Sequence, residues 1–214
     1  MFGYQAHKTS VDGMIWSILT CLRIVGARPR YDMRVKGFPK DKPMIIVSNH
    51  QSMFDIPTIG WALLPHHPKY ISKKSLAKGI PSVSYNIRNG GSVTIDRKNP
   101  EESIRNIQGF TVYLNKHNRA GCLFAEGTRS KDGKVATFKK GGLFAMLDAM
   151  PDATVVPVAL ENFWKITRYG FQPIPFGAQP KCTVFPAIER ADKTNDEILQ
   201  ACEDLIRAVA ERDL

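Results

Sequence analysis

The chain has 214 residues, of which 43% are hydrophobic and 23% charged, and this composition argues against disorder, collagen-like sequence and low-complexity repeats. Thirty basic against 20 acidic residues give a formal net charge of +10. The excess lies in residues 1–150, which carry 23 basic and 10 acidic side chains, so this part of the protein is expected to attract polyanions.

Residues 10–25 have apolar side chains at helical spacing, which predicts an amphipathic helix near the start of the chain. The apolar stretch 14–26 contains Arg23 and is shorter than the roughly 18–20 residues of a membrane-spanning helix. No small-residue cleavage site follows it, so a secretory signal is not expected. Residues 1–30 are therefore expected to form a helical segment that docks on the domain or lies in a membrane interface.

Short apolar runs then alternate with segments of helical period, which predicts an α/β fold. Several of these runs are continuously apolar, as is typical of strands in a sheet with both faces covered. We expect a central, mostly parallel mixed sheet flanked by helices. The predicted strands are residues 44–48, 69–72, 92–96, 122–125, 154–160 and 182–188.

Two further helices have clear start signals. Pro100 and the two acidic residues after it begin one helix, because proline suits the first helical position and acid suits the positive end of the dipole. Its inward face is expected to consist of Ile104, Ile107, Thr111 and Leu114. Thr194 and Glu197 form a capping box that begins a C-terminal packing helix. Its apolar face is expected to consist of Ile198, Cys202, Leu205, Ile206 and Val209. No repeat or linker divides the chain, so residues 1–214 are predicted to be a single domain.

A polar segment that carries His50 and Asp55 follows the strand predicted at 44–48. Ligands of open α/β sheets bind at the carboxyl ends of strands. A histidine paired with a carboxylate is suited to taking a proton from a hydroxyl, because the acid fixes the tautomer and stabilises the imidazolium. A regular helix would put the two side chains on different faces, so His50 is expected before the helix and Asp55 in its first turn. The alternative is that His50 only ends the strand and Asp55 only caps the helix.

A second polar segment, residues 124–130, also follows a predicted strand. Gly127 permits close backbone approach, and Arg129 offers a planar guanidinium suited to phosphate. Glu126 can hold that arginine or accept a hydrogen bond from a sugar-like hydroxyl. The alternative is an ordinary polar turn.

Arg97 and Lys74 follow two other predicted strands and add positive charge at the same type of sheet edge. Each of them alone is typical of a solvated surface. Together with the segment 124–130 they predict a phosphate-binding region beside His50.

The four cysteines are far apart, with no CxxC pair and no histidine at ligand spacing. They are expected to be reduced, small core residues, and neither a metal site nor a disulfide framework is predicted. The chain has no helix-turn-helix pattern, aromatic RNA-binding signature or zinc-finger spacing, so nucleic acid is not an expected partner.

Four blocks of residues resemble the glycerolipid acyltransferases typified by 1-acylglycerol-3-phosphate acyltransferase. The blocks are NHQSMFD at 49–55, GSVTIDR at 91–97, FAEGTRS at 124–130 and VVPV at 155–158. Each block is a weak signal alone, whereas four in the family's order are specific. Ala125 stands where proline is common and Thr94 where an aromatic residue is usual, and neither replaces a reacting group.

The resemblance implies transfer of a fatty acyl group from a thioester to the free hydroxyl of lysophosphatidic acid, which gives phosphatidic acid. It implies that His50 is the general base and Asp55 its orienting partner. The implied acceptor-binding residues are Arg97, Glu126, Gly127 and Arg129. Charge and position add Lys74 to this set. No metal or other cofactor is implied, because the acyl donor is itself a substrate.

The expected partners are a lysophospholipid acceptor, an acyl-CoA or acyl carrier protein donor, and an anionic membrane surface, all of which suit a basic protein. We expect a cytoplasmic location with peripheral association at the inner face of the membrane. Two alternatives stay open: another lysolipid acceptor with the same mechanism, and a non-enzymatic basic protein that binds membranes or nucleic acid.

Overall fold

The computed structural model describes residues 3–79, 81–96, 98–170 and 173–212. The strands in these residues are β1 (Arg30–Met33), β2 (Met44–Ser48), β3 (Lys69–Lys73), β4 (Val93–Ile95), β5 (Ala120–Phe124), β6 (Thr154–Glu161) and β7 (Lys181–Val184). They form one sheet of order β1-β7-β6-β2-β5-β3-β4. Every neighbouring pair is parallel except β6 with β7. The predicted mostly parallel mixed sheet is confirmed.

Helices cover both faces of this sheet. Within the described ranges they are α1 (Gly3–Cys21), α2 (Asp55–Ala62), α3 (Pro81–Asn89), α4 (Pro100–His117), α5 (Lys140–Ala149), α6 (Phe163–Ile166) and α7 (Asn195–Ala210). The core on one face includes side chains of α1, α2 and α6, and the core on the other includes side chains of α4, α5 and α7. None of the described helices combines the length and apolar character needed to cross a bilayer.

The central strand β2 is buried along its whole length. Ile45 and Val47 pack into the core beneath α4, α5 and α7, whereas Met44 and Ile46 pack into the core beneath α1 and α2. This alternation is the period of two that a strand imposes on its side chains. Because each such buried side chain contributes about 1.5–3 kcal/mol, the strand that leads into His50 is firmly anchored.

The ends of several elements differ from the sequence prediction. β1 was not predicted, because an edge strand of sequence RYDM has no apolar run. β7 ends at Val184 rather than at 188, since Pro186 has no N–H to donate, and Ile188 makes only an isolated bridge to Val155. The N-terminal helix starts earlier than residue 10 and continues as a 3₁₀ turn over Leu22–Val25.

Two residues predicted to face inward are exposed. Ile104 of α4 is 41% exposed and Leu205 of α7 is 40% exposed, so both predictions were wrong. Phe110 and Leu199 are buried instead. In each helix the buried stripe is rotated slightly from the predicted one, which puts Ile104 and Leu205 at its margin. The start signals are confirmed: Asn99 accepts from the Glu102 N–H, and Thr194 with Glu197 forms the capping box.

Helix α1 docks on the domain. Ile15 and Leu19 are buried, and a Cβ atom on Gly60 of α2 would lie 2.9 Å from the Ile15 Cδ1 atom. The glycine therefore lets the two helices approach closely. Of the four cysteines, Cys21 at the end of α1 is exposed, contrary to the prediction of core burial, and the other three are buried with free thiols.

Candidate active site

The topology brings the two polar segments together. β2 and β5 are parallel neighbours with Ser48 paired to Phe124, so the loops that leave their carboxyl ends lie side by side. The Ala125 N–H donates to the Ser48 carbonyl at 3.0 Å, and the Ser130 N–H donates to the His50 carbonyl at 2.8 Å. These bonds join the two loops into one unit.

His50 and Asp55 are in direct contact. His50 precedes α2, and Asp55 is the first residue of that helix, as the spacing predicted. The His50 Nδ1 atom lies 2.7 Å from Asp55 Oδ2. Asp55 is fully buried and also accepts from the N–H groups of Gln51 at 2.6 Å and Ser52 at 2.9 Å. Because the carboxylate accepts throughout, the network assigns the proton to Nδ1 and leaves a lone pair on Nε2.

Two residues border the rest of the imidazole ring. The Phe124 ring stacks on it with centroids 3.9 Å apart and an interplanar angle of 15°. The Arg129 Nε–H donates to His50 Nε2 at 3.4 Å. Asp55 thus contacts the Nδ1 edge of the imidazole ring, and Phe124 packs on one of its faces. The Nε2 edge faces the guanidinium of Arg129, which is exposed to solvent.

Asn49 and Gln51, which flank His50, are buried and anchor it from both sides. The Asn49 amide donates to the Leu160 carbonyl at 2.9 Å and accepts from the Leu160 N–H at 2.8 Å. The Gln51 amide oxygen accepts from the Phe163 N–H at 2.9 Å. Sequence reasoning gave neither residue a role. The only available signal was a pair of amides on either side of the histidine, immediately after a buried strand.

Glu126 is buried, with 2% of its surface exposed. Its Oε1 atom accepts from the His50 N–H at 2.7 Å, and its Oε2 atom accepts from the Ala136 N–H at 2.8 Å. Both oxygens are therefore engaged by backbone groups, whereas the sequence suggested a bond to Arg129 or to substrate. Burial raises the pKa of Glu126 to about 7, although the two backbone N–H groups act in the opposite direction.

Gly127 and Arg129 lie on the accessible side of this unit. Gly127 has φ of 71°, a left-handed conformation that favours glycine. A Cβ atom there would lie 3.2 Å from the Lys139 Nζ atom, so this lysine crosses close to the glycine. Lys139 and Arg129 are both exposed. Together they make a cationic surface beside the Nε2 edge of His50.

The other two predicted binding residues are not joined to this cluster. Lys74 follows β3 at the same edge of the sheet, but it is exposed and pairs with Glu102 of α4 at 3.1 Å. None of its described contacts reaches His50. Arg97 lies outside the described residues.

The Acyltransferase family model matches residues 32–161, a range that contains every one of the clustered residues from Asn49 to Lys139. The chain belongs to this family. The resemblance inferred from the four blocks is thereby confirmed.

Two relatives of this acyltransferase-family chain are both named 1-acyl-sn-glycerol-3-phosphate acyltransferase. The chloroplastic 1-acyl-sn-glycerol-3-phosphate acyltransferase LPAT1 of Arabidopsis thaliana is 33% identical over 150 residues, which are 68% of this chain and 40% of that protein. A 1-acyl-sn-glycerol-3-phosphate acyltransferase of Haemophilus influenzae is 25% identical over 195 residues, 86% of this chain and 78% of that protein. The chain thus spans less than half the length of the plant relative.

A solved structure has the same fold. The 1-acyl-sn-glycerophosphate acyltransferase PlsC of Thermotoga maritima superimposes with a TM-score of 0.75 at 24% identity, covering 99% of this chain and 83% of that one. The α/β architecture of the acyltransferase-family chain, including its N-terminal helix, is therefore shared over nearly its whole length.

Proposed function

We propose that this protein is an O-acyltransferase that moves a fatty acyl group from a thioester to the free hydroxyl of 1-acylglycerol-3-phosphate and so forms phosphatidic acid. The observation that carries the proposal is the His50–Asp55 pair, whose Nε2 edge faces the exposed Arg129. Membership of the acyltransferase family supports it, as do the relatives named for this reaction.

His50 acts as the general base. As the acceptor oxygen attacks the thioester carbon, its proton passes to the Nε2 atom, and Asp55 stabilises the imidazolium that results. The C–S bond then breaks, the thiolate leaves, and the ring returns its proton to solvent or to the leaving thiolate. General-base assistance of this kind contributes roughly 10²- to 10⁴-fold to the rate. The reaction proposed here uses no cofactor beyond the acyl donor.

The cationic surface formed by Arg129 and Lys139 binds the acceptor phosphate. Arg129 suits this role because its planar fork can make two parallel hydrogen bonds to phosphate oxygens. When it turns to the phosphate, it releases the Nε2 lone pair to the acceptor hydroxyl. Gly127 leaves room for the approach of the head group. Arg97 and Lys74 are proposed as outer contributors of positive charge, in accord with their place in the sequence.

Either acyl-CoA or acyl carrier protein serves as donor in this proposal, since both are anionic. We also propose peripheral contact with an anionic bilayer. Three large apolar side chains support it: Trp16 is 57% exposed, Ile24 80% and Phe176 83%. Arg23 and Arg28, which lie close to Ile24 in the chain, are also exposed. Aromatic and basic side chains together favour a membrane interface.

These exposed apolar and basic side chains lie at the same end of the sheet as His50, which is the end where the central strands have their carboxyl termini. β1 begins at Arg30, which pairs with Lys181, and Lys181 pairs with Glu161 at the carboxyl end of β6. The residues just before β1 are therefore at the active-site edge. The Gly177 N–H donates to the Val25 carbonyl at 3.0 Å, which ties Phe176 to the same surface. A bilayer bound here would present its lipids to the edge that carries the base.

The direct test is consumption of thioester by the purified protein with lysophosphatidic acid, run once with acyl-CoA and once with acyl carrier protein. We expect thiol release together with phosphatidic acid, and loss of both in His50→Ala with the fold retained. Absence of transfer from both donors, or full activity of His50→Ala, would contradict the proposal. A panel of other lysolipids tests the alternative that the head group differs.

Vesicle binding tests the membrane contact separately. Ile24→Asp is expected to weaken co-sedimentation with vesicles rich in anionic lipid. Val112→Asp is the matched control, because Val112 is 67% exposed on α4, on the opposite face of the sheet. Equal effects of the two variants would argue against the proposed surface.

A further inference from the structure

An ionic triplet with one residue per turn runs along the end of the C-terminal helix α7: Glu203 and Arg207 belong to the helix, and Glu211 is the residue that caps its C-terminus. Arg207 lies 2.7 Å from Glu203 and 3.1 Å from Glu211, measured between nitrogen and carboxylate oxygen. Ion pairs at this spacing on an exposed helix contribute little. These three side chains, however, also bind the backbone of the loop at residues 131–139, which we call the support loop.

The support loop has no helix or strand, so its backbone polar groups need partners from elsewhere. Helix α7 supplies several of them. The Phe138 N–H donates to Glu203 at 2.9 Å and the Val135 N–H donates to Glu211 at 2.7 Å. Arg207 donates to the Val135 carbonyl at 2.6 Å. The triplet therefore fixes the loop on both sides of Ala136.

Ala136 is the link to the active site. Its N–H donates to Glu126 Oε2, while Glu126 Oε1 accepts from the N–H of His50. A continuous chain of hydrogen bonds thus runs from Arg207 through the support loop and Glu126 to the backbone of His50. Loss of order in the loop removes one of the two partners that hold the Glu126 carboxylate.

We propose that Arg207 is a positioning residue for His50, which acts by fixing the support loop and by adding a positive charge that favours the ionised form of Glu126. This inference rests on the proposed function only for the identity of His50 as the base. The charged groups that face Glu126 are Asp55 on α2, which raises its pKa, and Arg207 on α7, which lowers it. Lys139 ends the support loop beside Gly127.

The test measures the backbone amide of Ala136 by NMR as a function of pH. In the wild-type protein its chemical shift should titrate with Glu126, with a midpoint near the pKa of about 7. Glu126→Gln should abolish this titration, which identifies its origin. In Arg207→Met the midpoint should move to higher pH, because a positive charge that favours the carboxylate is lost.

Activity gives a second measurement. Arg207→Met is expected to lower kcat at pH 7, with partial recovery at higher pH and an unchanged KM for the acceptor. A purely structural defect would not recover with pH. Arg212→Met is the matched control, since Arg212 follows the same helix and is exposed. It should change neither the midpoint nor kcat.

Arg207→Lys separates charge from geometry and carries the test if Arg207→Met does not fold. It keeps the charge but loses the fork that reaches both Val135 and Glu203. Hydrogen exchange of the Ala136 amide should then quicken by about tenfold, the effect of losing roughly one hydrogen bond. Unchanged exchange in Arg207→Lys would overturn the proposal, as would an unchanged midpoint in folded Arg207→Met or an equal shift in Arg212→Met.

The two proposals fail in different ways. If the Ala136 midpoint moves as expected but the protein transfers no acyl group, the positioning contact stands and the proposed function is refuted. If transfer is observed but the midpoint and the exchange rate are unaffected, Arg207 has no positioning role.

Discussion

Replacement of Asp55 by asparagine should slow the chemical step without weakening acceptor binding. Asp55 Oδ2 takes hydrogen bonds from His50, Gln51 and Ser52 at 2.7, 2.6 and 2.9 Å. An asparagine can place its amide oxygen at that position and keep all three donors, so the geometry of the turn is expected to survive. The asparagine variant loses the negative charge opposite the imidazolium that forms in the proposed mechanism as the acceptor hydroxyl is deprotonated.

The size of the effect follows from this difference. A hydrogen bond to a charged group contributes about 1.5–3 kcal/mol, against about 0.5–1.5 kcal/mol for a neutral one. Losing the difference of about 1–1.5 kcal/mol in the transition state corresponds to a decrease of about 5- to 13-fold in kcat. The KM for the acceptor should not change, because Asp55 is fully buried and has no surface with which to touch a substrate.

Thiol release from the acyl donor at saturating and limiting lysophosphatidic acid separates kcat from KM. Asp148→Asn is the control, because Asp148 is an exposed carboxylate on α5, and it should behave as the wild type. Thermal unfolding of both variants checks that the fold is intact. Wild-type turnover in Asp55→Asn, or a defect confined to KM, would refute the orienting role of the carboxylate.

Three further predictions concern the neighbours of His50. Arg129→Lys should raise the acceptor KM by about tenfold in a steady-state assay, because a point charge replaces a bidentate contact. Unaltered kinetics would support the alternative that residues 124–130 are an ordinary polar turn. Phe124→Leu should reduce kcat/KM by about 2- to 10-fold, the value of a stacked ring pair, and Phe124→Tyr should restore it; equal losses in both variants would argue against stacking. Because burial raises the pKa of Glu126 from 4.5 to about 7, the folded state binds the proton more tightly than the unfolded state does between those values. The stability that this residue contributes is complete below pH 4.5 and is lost as pH rises through 7. Urea unfolding should therefore show that the free energy of unfolding of the wild type falls by about 3 kcal/mol relative to that of Glu126→Gln over this range. A difference in unfolding free energy that does not change with pH would contradict a raised pKa for Glu126.

The sequence was sufficient to predict most of the sheet, because several of its strands are continuous apolar runs such as MIIVS in β2. It was also sufficient to predict His50 before the helix and Asp55 in its first turn. It left open whether the two side chains pair or whether His50 only ends the strand and Asp55 only caps the helix, and the 2.7 Å contact in the structure decides for the pair. The edge strand β1 was missed, because half of its four residues are charged. Ile104 and Leu205 lie at the margins of the buried faces of α4 and α7. Whether they are buried or exposed depends on small rotations of each helix about its axis, which packing determines.

The supporting contacts of the site could not be predicted from the sequence. Glu126 reaches the N–H of His50 and the N–H of Ala136, and such backbone partners are not visible in a sequence pattern. Arg207 lies far along the chain, in a helix whose capping box and apolar face indicated only packing. The position of Lys139 beside Gly127 depends on how the support loop returns to the sheet, and this path is not visible in the sequence.

The order of the strands has a consequence for synthesis of the protein on the ribosome. β2 occupies the middle of the sheet, yet its two neighbours, β5 and β6, begin only at Ala120 and Thr154. At about 5–20 residues per second, some 4–14 s separate the emergence of the strand from that of its first partner. During this interval the apolar segment of β2 is present in the nascent chain with no partner strand on either side. Such a segment is a target for chaperones and is prone to premature association with other chains. His50, the proposed general base, closely follows this strand, so the candidate site is assembled only late in translation.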